Sequence, residues 1–389
     1  MSVTSHLYHG ELGDWCETRL TGSAEVARYL VQQVREGEVT RPEGPVSQLH
    51  WSQAGRAFSH RMAHLIQFAP PYSALLGLVR AGLVPRSWAD AEAAQYPTHG
   101  SLTGDRRERA VDLRPTLSGW VDLRAARDAG ASVGVVVAAQ EQRHRDHSRP
   151  GRPDEEVLSE LFDRMRAYFH EHSTLGQLGE PGPERGLARL CWILGSFQYA
   201  YRNNSIDSPL FRVFRDDVPS VEDIHRGAGD DEIADPLALT QRLRTSGALE
   251  QMRRLAGDPP PGMPWGITAP VIFDHWDDNT FLLDGPEGST LMEVVSLAHF
   301  TANSRVRRRI WNLLAYAWLD TADTYRIRNI ALYFARHGVL VTIPVSRLAE
   351  ALLEGRDAQD VRNEFVGLAT RLRDVDRARR QEWRLASEQ

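Results

Sequence analysis

Residues 273–295 read FDHWDDNTFLLDGPEGSTLMEVV, and the fold class of this 389-residue chain turns on them. An acidic turn containing Asp274, Asp277 and Asp278 stands beside a short apolar run. A Gly/Pro-containing turn follows, then a second apolar run interrupted by one carboxylate, Glu293. Short runs of apolar, β-branched and aromatic residues bounded by turn formers read as strands. Working outward, residues 267–273, 280–283 and 291–296 read as three strands. Residues 305–319 carry helical apolar spacing, 329–334 and 339–343 read as two more strands, and 345–353 as a helix. The order β-β-β-α-β-β-α predicts an α/β module over 265–355 with a mixed sheet flanked by helices.

The rest of the chain reads as mainly helical. Val26, Leu30 and Val34 recur every four residues after Ser23, a suitable N-cap. Ala54, Ala57, Phe58, Met62, Leu65 and Ile66 mark a second helix, and Pro70 and Pro71 open a third. Residues 119–123 and 133–138 read as short strands. The charged, Pro-containing stretch 141–155 separates a mainly helical region, 1–150, from a helical region, 151–264. Within the latter, Val157, Leu158, Leu161, Phe162, Met165 and Phe169 form one stripe. Residues 176–186 read as a loop, 187–201 as a buried helix, 216–235 as an acidic loop and 237–255 as one helix. Residues 356–389 read as a C-terminal docking helix, its seam formed by Val361, Phe365, Leu368, Leu372 and Val375.

Composition excludes several kinds of chemistry. All 46 Lys+Arg residues are arginine, where ordinary usage places roughly 20 lysines in a chain this long. Schiff-base, phosphate-loop and ammonium acid–base lysines are therefore ruled out. Net charge is −6 and the pI about 6.2, which argues against a dominant nonspecific grip on nucleic acid. Cys16 and Cys191 form no CxxC pair, so a cysteine zinc site or disulfide framework is not indicated. The first residues carry Glu11 and Asp14 and lack the apolar core of a signal peptide, and no apolar run has membrane-spanning length. The expectation is a cytoplasmic, bacterial protein without membrane association. His144 and His147 are spaced for one helix face, but their arginine-rich surroundings read as linker.

Asp278 and Glu293, on neighbouring strands of a hairpin, supply hard oxygen ligands of the kind Mg²⁺ takes, and such a metal activates water for phosphodiester hydrolysis. The alternative is a solvated turn with Glu293 facing water. On these residues the module resembles the PD-(D/E)XK nuclease superfamily, RecB-like branch. The resemblance covers about 80 of the 389 residues. It implies a restriction-endonuclease-like mixed sheet with an Asp on one strand, an acidic-x-Lys triplet on the next and a Gln-x-x-x-Tyr motif on the following helix. Asp278 matches the first, Glu293-Val294-Val295 the second and Asn312 through Tyr316 the third. The resemblance also suggests the helix around Gly55–Phe58 as the family's N-terminal core helix.

Two departures matter. Val295 stands where the family has Lys, and Asn312 where it has Gln. No lysine elsewhere in the chain can substitute, and Arg is not interchangeable with Lys at a tuned site. The resemblance thus implies a degenerate catalytic set, Asp278, Glu293, Asn312 and Tyr316, with Mg²⁺ only if the acidic pair is retained as a site and otherwise no cofactor. Arg305, Arg307, Arg308 and Arg309 crowd a helix N-terminus, where cations oppose the dipole, so a ligand or partner anion nearby is expected. Phosphate contacts are one source, with Trp311, Tyr316 and Trp318 as stacking partners or as core. The expected function is a catalytically degenerate nuclease-like protein acting by nucleic-acid or protein-partner binding, in a DNA-processing or antiphage defence assembly. A Mg²⁺-dependent DNA nuclease with an altered site and a structural interaction protein are the alternatives.

Overall fold

The structure, a computed structural model, describes residues 3–35, 38–100, 154–203, 205–206, 208–215, 217–268, 270, 272–273, 280–300 and 304–387. The strands expected at 119–123 and 133–138, the linker with His144 and His147, and Asp274–Asn279 lie outside these residues. In chain order the elements are α1 (Val3–His9), α2 (Glu11–Arg19), α3 (Ser23–Val34), α4 (Gln48–Ile66), α5 (Tyr72–Arg80), α6 (Arg86–Ala94), α7 (Pro97–Gly100), α8 (Glu155–His172), α9 (Pro181–Asn203), a 3₁₀ turn (Pro209–Phe214), α10 (Val221–Arg226), α11 (Asp230–Ser246) and α12 (Ala248–Leu255). Then come β1 (Gly266–Thr268), β2 (Phe281–Leu283), β3 (Ser289–Val295), α13 (Ser304–Leu319), β4 (Ile327–Phe334), β5 (Val339–Pro344), α14 (Val345–Leu353) and α15 (Ala358–Ser387). The chain separates into two compact units, residues 1–41 with 239–378 and residues 42–238 with 379–389.

The first unit is α/β. Its sheet runs β1-β2-β3-β4-β5, antiparallel throughout except for the parallel pair β3–β4. A parallel pair needs a crossover, and α13 supplies it. Side chains alternate across a strand, so Leu291, Glu293 and Val295 share one face, in register with Ile330, Leu332 and Phe334 of β4. That face builds a core with Trp311 and Leu314 of α13, Leu348 and Leu352 of α14, Phe365 and Leu372 of α15, and Val3, Leu7, Cys16 and Leu30 of α1–α3. At about 25 cal/mol per Å² of apolar surface, each fully buried large side chain here stabilises by roughly 2 kcal/mol. Helix α3 starts against α14 so closely that a Cβ on Gly22 would lie 1.9 Å from the Ala351 carbonyl oxygen. On the opposite face Met292, Ala331 and Tyr333 are buried, with Tyr333 beside Ser246 and Arg242 of α11.

The second unit is helical among its described residues. Arg61 of α4 and Glu184 of α9 form a bidentate ion pair at 2.9 and 2.7 Å, both side chains buried. Glu184 also accepts from the Gly179 amide, and Arg61 donates to Ser173. A buried pair of this kind stands only when its remaining hydrogen-bonding capacity is used. His60 and His64 lie on the same helix, His64 stacked on Phe169 at 3.7 Å.

Several local expectations need correction. The loop expected at 176–186 ends at Pro181, because Pro is preorganised for a first helical turn and Glu184 favours its positive end. The acidic loop at 216–235 holds α10 and the start of α11. Ser220 and Asp223 form a reciprocal capping box, and Asp230, Asp231 and Glu232 open α11. The single helix at 237–255 is two helices, broken at Gly247 with φ +70°, a conformation glycine adopts without penalty. Strand β1 is shorter than 267–273, and α1 and α2 were not apparent from periodicity. The helix suggested as the family's N-terminal core helix, α4, belongs to the helical unit and not to the one with the sheet.

Burial, with a smaller contribution from the Arg56 charge and against the opposing effect of Gln198, leaves His60 with a pKa lowered from 6.5 to about 4. His64 is likewise held well below the ordinary range by burial and by His60 and Arg61. Both imidazoles are neutral in the fold and take up protons more readily when unfolded. Their contribution is therefore fully present above pH 6.5 and is lost as pH falls toward 4. For His60 alone the loss approaches about 3 kcal/mol. Thermal melts between pH 7.5 and 4.5 should show the protein's midpoint falling across this window, with a smaller fall in His60→Gln.

Candidate functional site

Glu293 sits in the middle of the sheet's helix-covered face, between the buried Leu291 and Val295. Its strand is central and flanked on both sides, so the carboxylate is carried into a largely apolar setting, with its side chain 15% exposed. An unpaired charge there would be expensive. Arg309, on the second turn of α13, donates from Nη1 to Glu293 Oε1. The crossover makes this pairing local in space: α13 returns over the strand it has just left, and sixteen residues of sequence separation become a direct contact.

Arg305, Arg309, Asn312 and Tyr316 recur at intervals of four, three and four residues, and so share one face of α13. Tyr316 is buried, and Asn312 accepts from the Thr4 hydroxyl of α1 at 3.3 Å. The structure thus brings Glu293, Arg309, Asn312 and Tyr316 to one side of the module. Asp278, the other expected metal ligand, lies outside the described residues, as do Asp274 and Asp277. Phe273, immediately before them, packs under the Arg373 guanidinium of α15 at 5.0 Å.

In place of the ligand or partner anion expected at the arginine cluster, the chain supplies carboxylates of its own. Arg307 pairs with Glu17 of α2 at 2.9 Å and lies over the Trp311 ring. Arg308 lies over the Tyr8 ring of α1 at 4.8 Å, and Arg309 holds Glu293. Arg305 is exposed at the first turn. The internal carboxylates offset the unfavourable placement of cations at a helix N-terminus. Trp311 donates from Nε1 to Ser23 at 2.8 Å. Trp318 packs edge-on against Trp15 and Phe365. These indoles and Tyr316 are core, not stacking platforms.

Helices α1 and α2 complete this site; the sequence read this region as helical without delimiting them. The usable signal was Val3, Leu7, Leu12, Cys16 and Leu20, all buried at four- to five-residue spacing. Further contacts tie this segment to α15: His6 to Asp376 at 3.0 Å, Trp15 and Arg19 to Glu364, and Arg371 to Glu11. The seam Val361, Phe365 and Leu372 is buried by the same docking. Arg373 of α15 covers Phe273.

The described half of the acidic pair already has a cationic partner. A carboxylate attracts Mg²⁺ by its negative charge, and Glu293 Oε1 already accepts from the Arg309 guanidinium. At an effective dielectric of about 20, a unit charge about 4 Å away contributes roughly 4 kcal/mol, here repelling a second cation. Among the described residues no group of three or more His, Cys, Asp or Glu side chains converges as a metal cage. Cys16 and Cys191 are buried, and burial raises both thiols far above their ordinary range, which makes them unsuitable as nucleophiles. No helix among the described residues is long and apolar enough to cross a membrane. The chain matches no protein-family model, no curated protein and no solved structure.

Removing one partner of the Glu293–Arg309 pair leaves the other poorly compensated. Arg309→Met should lower stability by about 1–3 kcal/mol, below the figure for a fully buried pair because both side chains keep some solvent. The double variant Arg309→Met with Glu293→Gln should recover most of that loss, as measured by urea denaturation in a double-mutant cycle.

Proposed function

We propose that this protein is a catalytically degenerate member of the PD-(D/E)XK-like nucleases that acts by binding and does not cleave. The observation that carries this reading is the Arg309–Glu293 ion pair. The carboxylate at the position of the family's acidic-x-Lys motif is engaged by a guanidinium from the next helix, and Val295, where the lysine belongs, is buried apolar core. The element order β-β-β-α-β-β and the mixed sheet flanked by helices agree with the fold the resemblance implies. Asn312, the second departure, is used in a hydrogen bond to α1. The restriction-endonuclease-like identity of the sheet is part of this proposal.

The ligand bound is a protein partner more than a nucleic acid. Arg307, Arg308 and Arg309 already have internal partners, so a phosphate backbone would have to compete with Glu17, Tyr8 and Glu293 for them. A second reading, a Mg²⁺-dependent nuclease with arginine help, draws on the same pair. Arg309 reaches the motif carboxylate from a neighbouring helix, and a cation is thereby present beside it.

The two readings separate in one experiment. Full-length protein is incubated with Mg²⁺ or Mn²⁺ and single- or double-stranded DNA. No cleavage is expected with either metal or substrate. Cleavage that disappears in Glu293→Ala would establish the second reading instead.

A further inference from the structure

Where the parallel strands β3 and β4 end, the chain gathers basic groups that the surroundings of Glu293 do not use. Arg242 of α11 donates from Nη2 to the main-chain carbonyl of His337 at 2.9 Å. Among the described residues it has no carboxylate partner, and its Nε is buried without a hydrogen bond. His337 is itself buried, with Nδ1 also lacking a partner. Arg336 is fully buried and donates to the carbonyls of Ser296 at 2.8 Å and Thr40 at 3.3 Å, so its orientation is set by the end of β3 and by the segment between α3 and α4. Burial first, then the charges of Arg242, Arg336 and His299, hold His337 below the ordinary imidazole range. Arg242, Arg336 and His299 therefore each lie within electrostatic reach of His337. Phe300 packs edge-on against Phe334 at 4.5 Å and keeps the segment that carries His299 against the end of β4.

Gly338 shapes the place. Its φ is +67°, and a Cβ there would lie 2.8 Å from Arg242 Nε and 2.7 Å from Ser246 Cβ. The backbone thus comes close enough to seat the guanidinium without a side chain between. Positive groups collected in a part-buried place raise the local potential unless an anion offsets it. An arginine fork with an imidazole beside it matches a tetrahedral oxyanion with several acceptor oxygens better than it matches a single neutral acceptor.

We propose that Arg242 and His337, flanked by Arg336 and His299, form a binding site for a phosphate group. Its source is either the end of a nucleic acid or a small phosphorylated molecule. The site lies toward α11, on the sheet face opposite Glu293, and does not depend on the nuclease-like reading.

Inorganic phosphate titrated into full-length protein by calorimetry tests it, alongside Arg242→Gln and Gly338→Ala. Saturable binding is expected in the unaltered protein and about tenfold weaker binding in each variant, with unchanged far-UV circular dichroism in Arg242→Gln. Fluorescence anisotropy with single-stranded oligonucleotides separates the two sources. Tighter binding of the 5′-phosphorylated strand than of the 5′-hydroxyl strand, reduced by Arg242→Gln, assigns the site to nucleic-acid ends. Equal binding of both strands, together with saturable phosphate binding, assigns it to a small phosphorylated ligand. Absence of saturable phosphate binding, or equal affinity in folded Arg242→Gln, overturns the proposal.

Discussion

The crossover from β3 through α13 to β4 is the constraint on which the sheet-bearing unit depends. Two adjacent parallel strands cannot be joined by a tight turn, so the chain must leave the sheet, cross its face and return. That requirement lays α13 over the strand carrying Glu293. It also buries Trp311, Leu314 and Tyr316 and places Arg309 beside the carboxylate. The helix N-terminus is thereby loaded with cations that need anions. Glu293 from the sheet and Glu17 from α2 supply them. One topological necessity explains the core, the ion pair and the use made of the first helices.

The charged groups of this unit are settled largely within the chain. Arg307 and Arg309 have carboxylates, Arg308 has an aromatic face, and Arg336 is held by backbone carbonyls. Arginine suits such duties because its planar fork is weakly hydrated and satisfies several acceptors at fixed geometry. A lysine-free chain that still needs buried cations must meet that need with guanidinium groups. The Arg61–Glu184 pair of the helical unit follows the same rule, with both partners buried and their spare hydrogen bonds taken by Gly179 and Ser173.

Much of the sheet was legible in the sequence. The positions of β2 through β5 and of α13 and α14 followed from apolar spacing, because each element buries one face or stripe and must show that period. The core role of Trp311 and Trp318 followed for the same reason. Less legible were the places where polar residues make structure. Ser220–Asp223 and Asp230–Glu232 looked like an acidic loop because a cap and a solvated turn draw on the same residue types. Helices α1 and α2 were read only as part of a helical region, without bounds, because each is short and lacks a sustained stripe, and their apolar residues gain meaning only against α13 and α15.

By itself the sequence determined the element order of the module from β1 to α14, the absence of lysine chemistry and the departures at Val295 and Asn312, since these are properties of residue identity and local period. Tertiary structure alone decided what the charged residues do. Glu17 meets Arg307 across 290 positions, His6 meets Asp376 across 370, and Arg242 reaches the His337 carbonyl across 95. No local pattern encodes such pairs. Each arises because folding removes water from a charge or a dipole, and the group must then find its partner wherever the topology has brought one near.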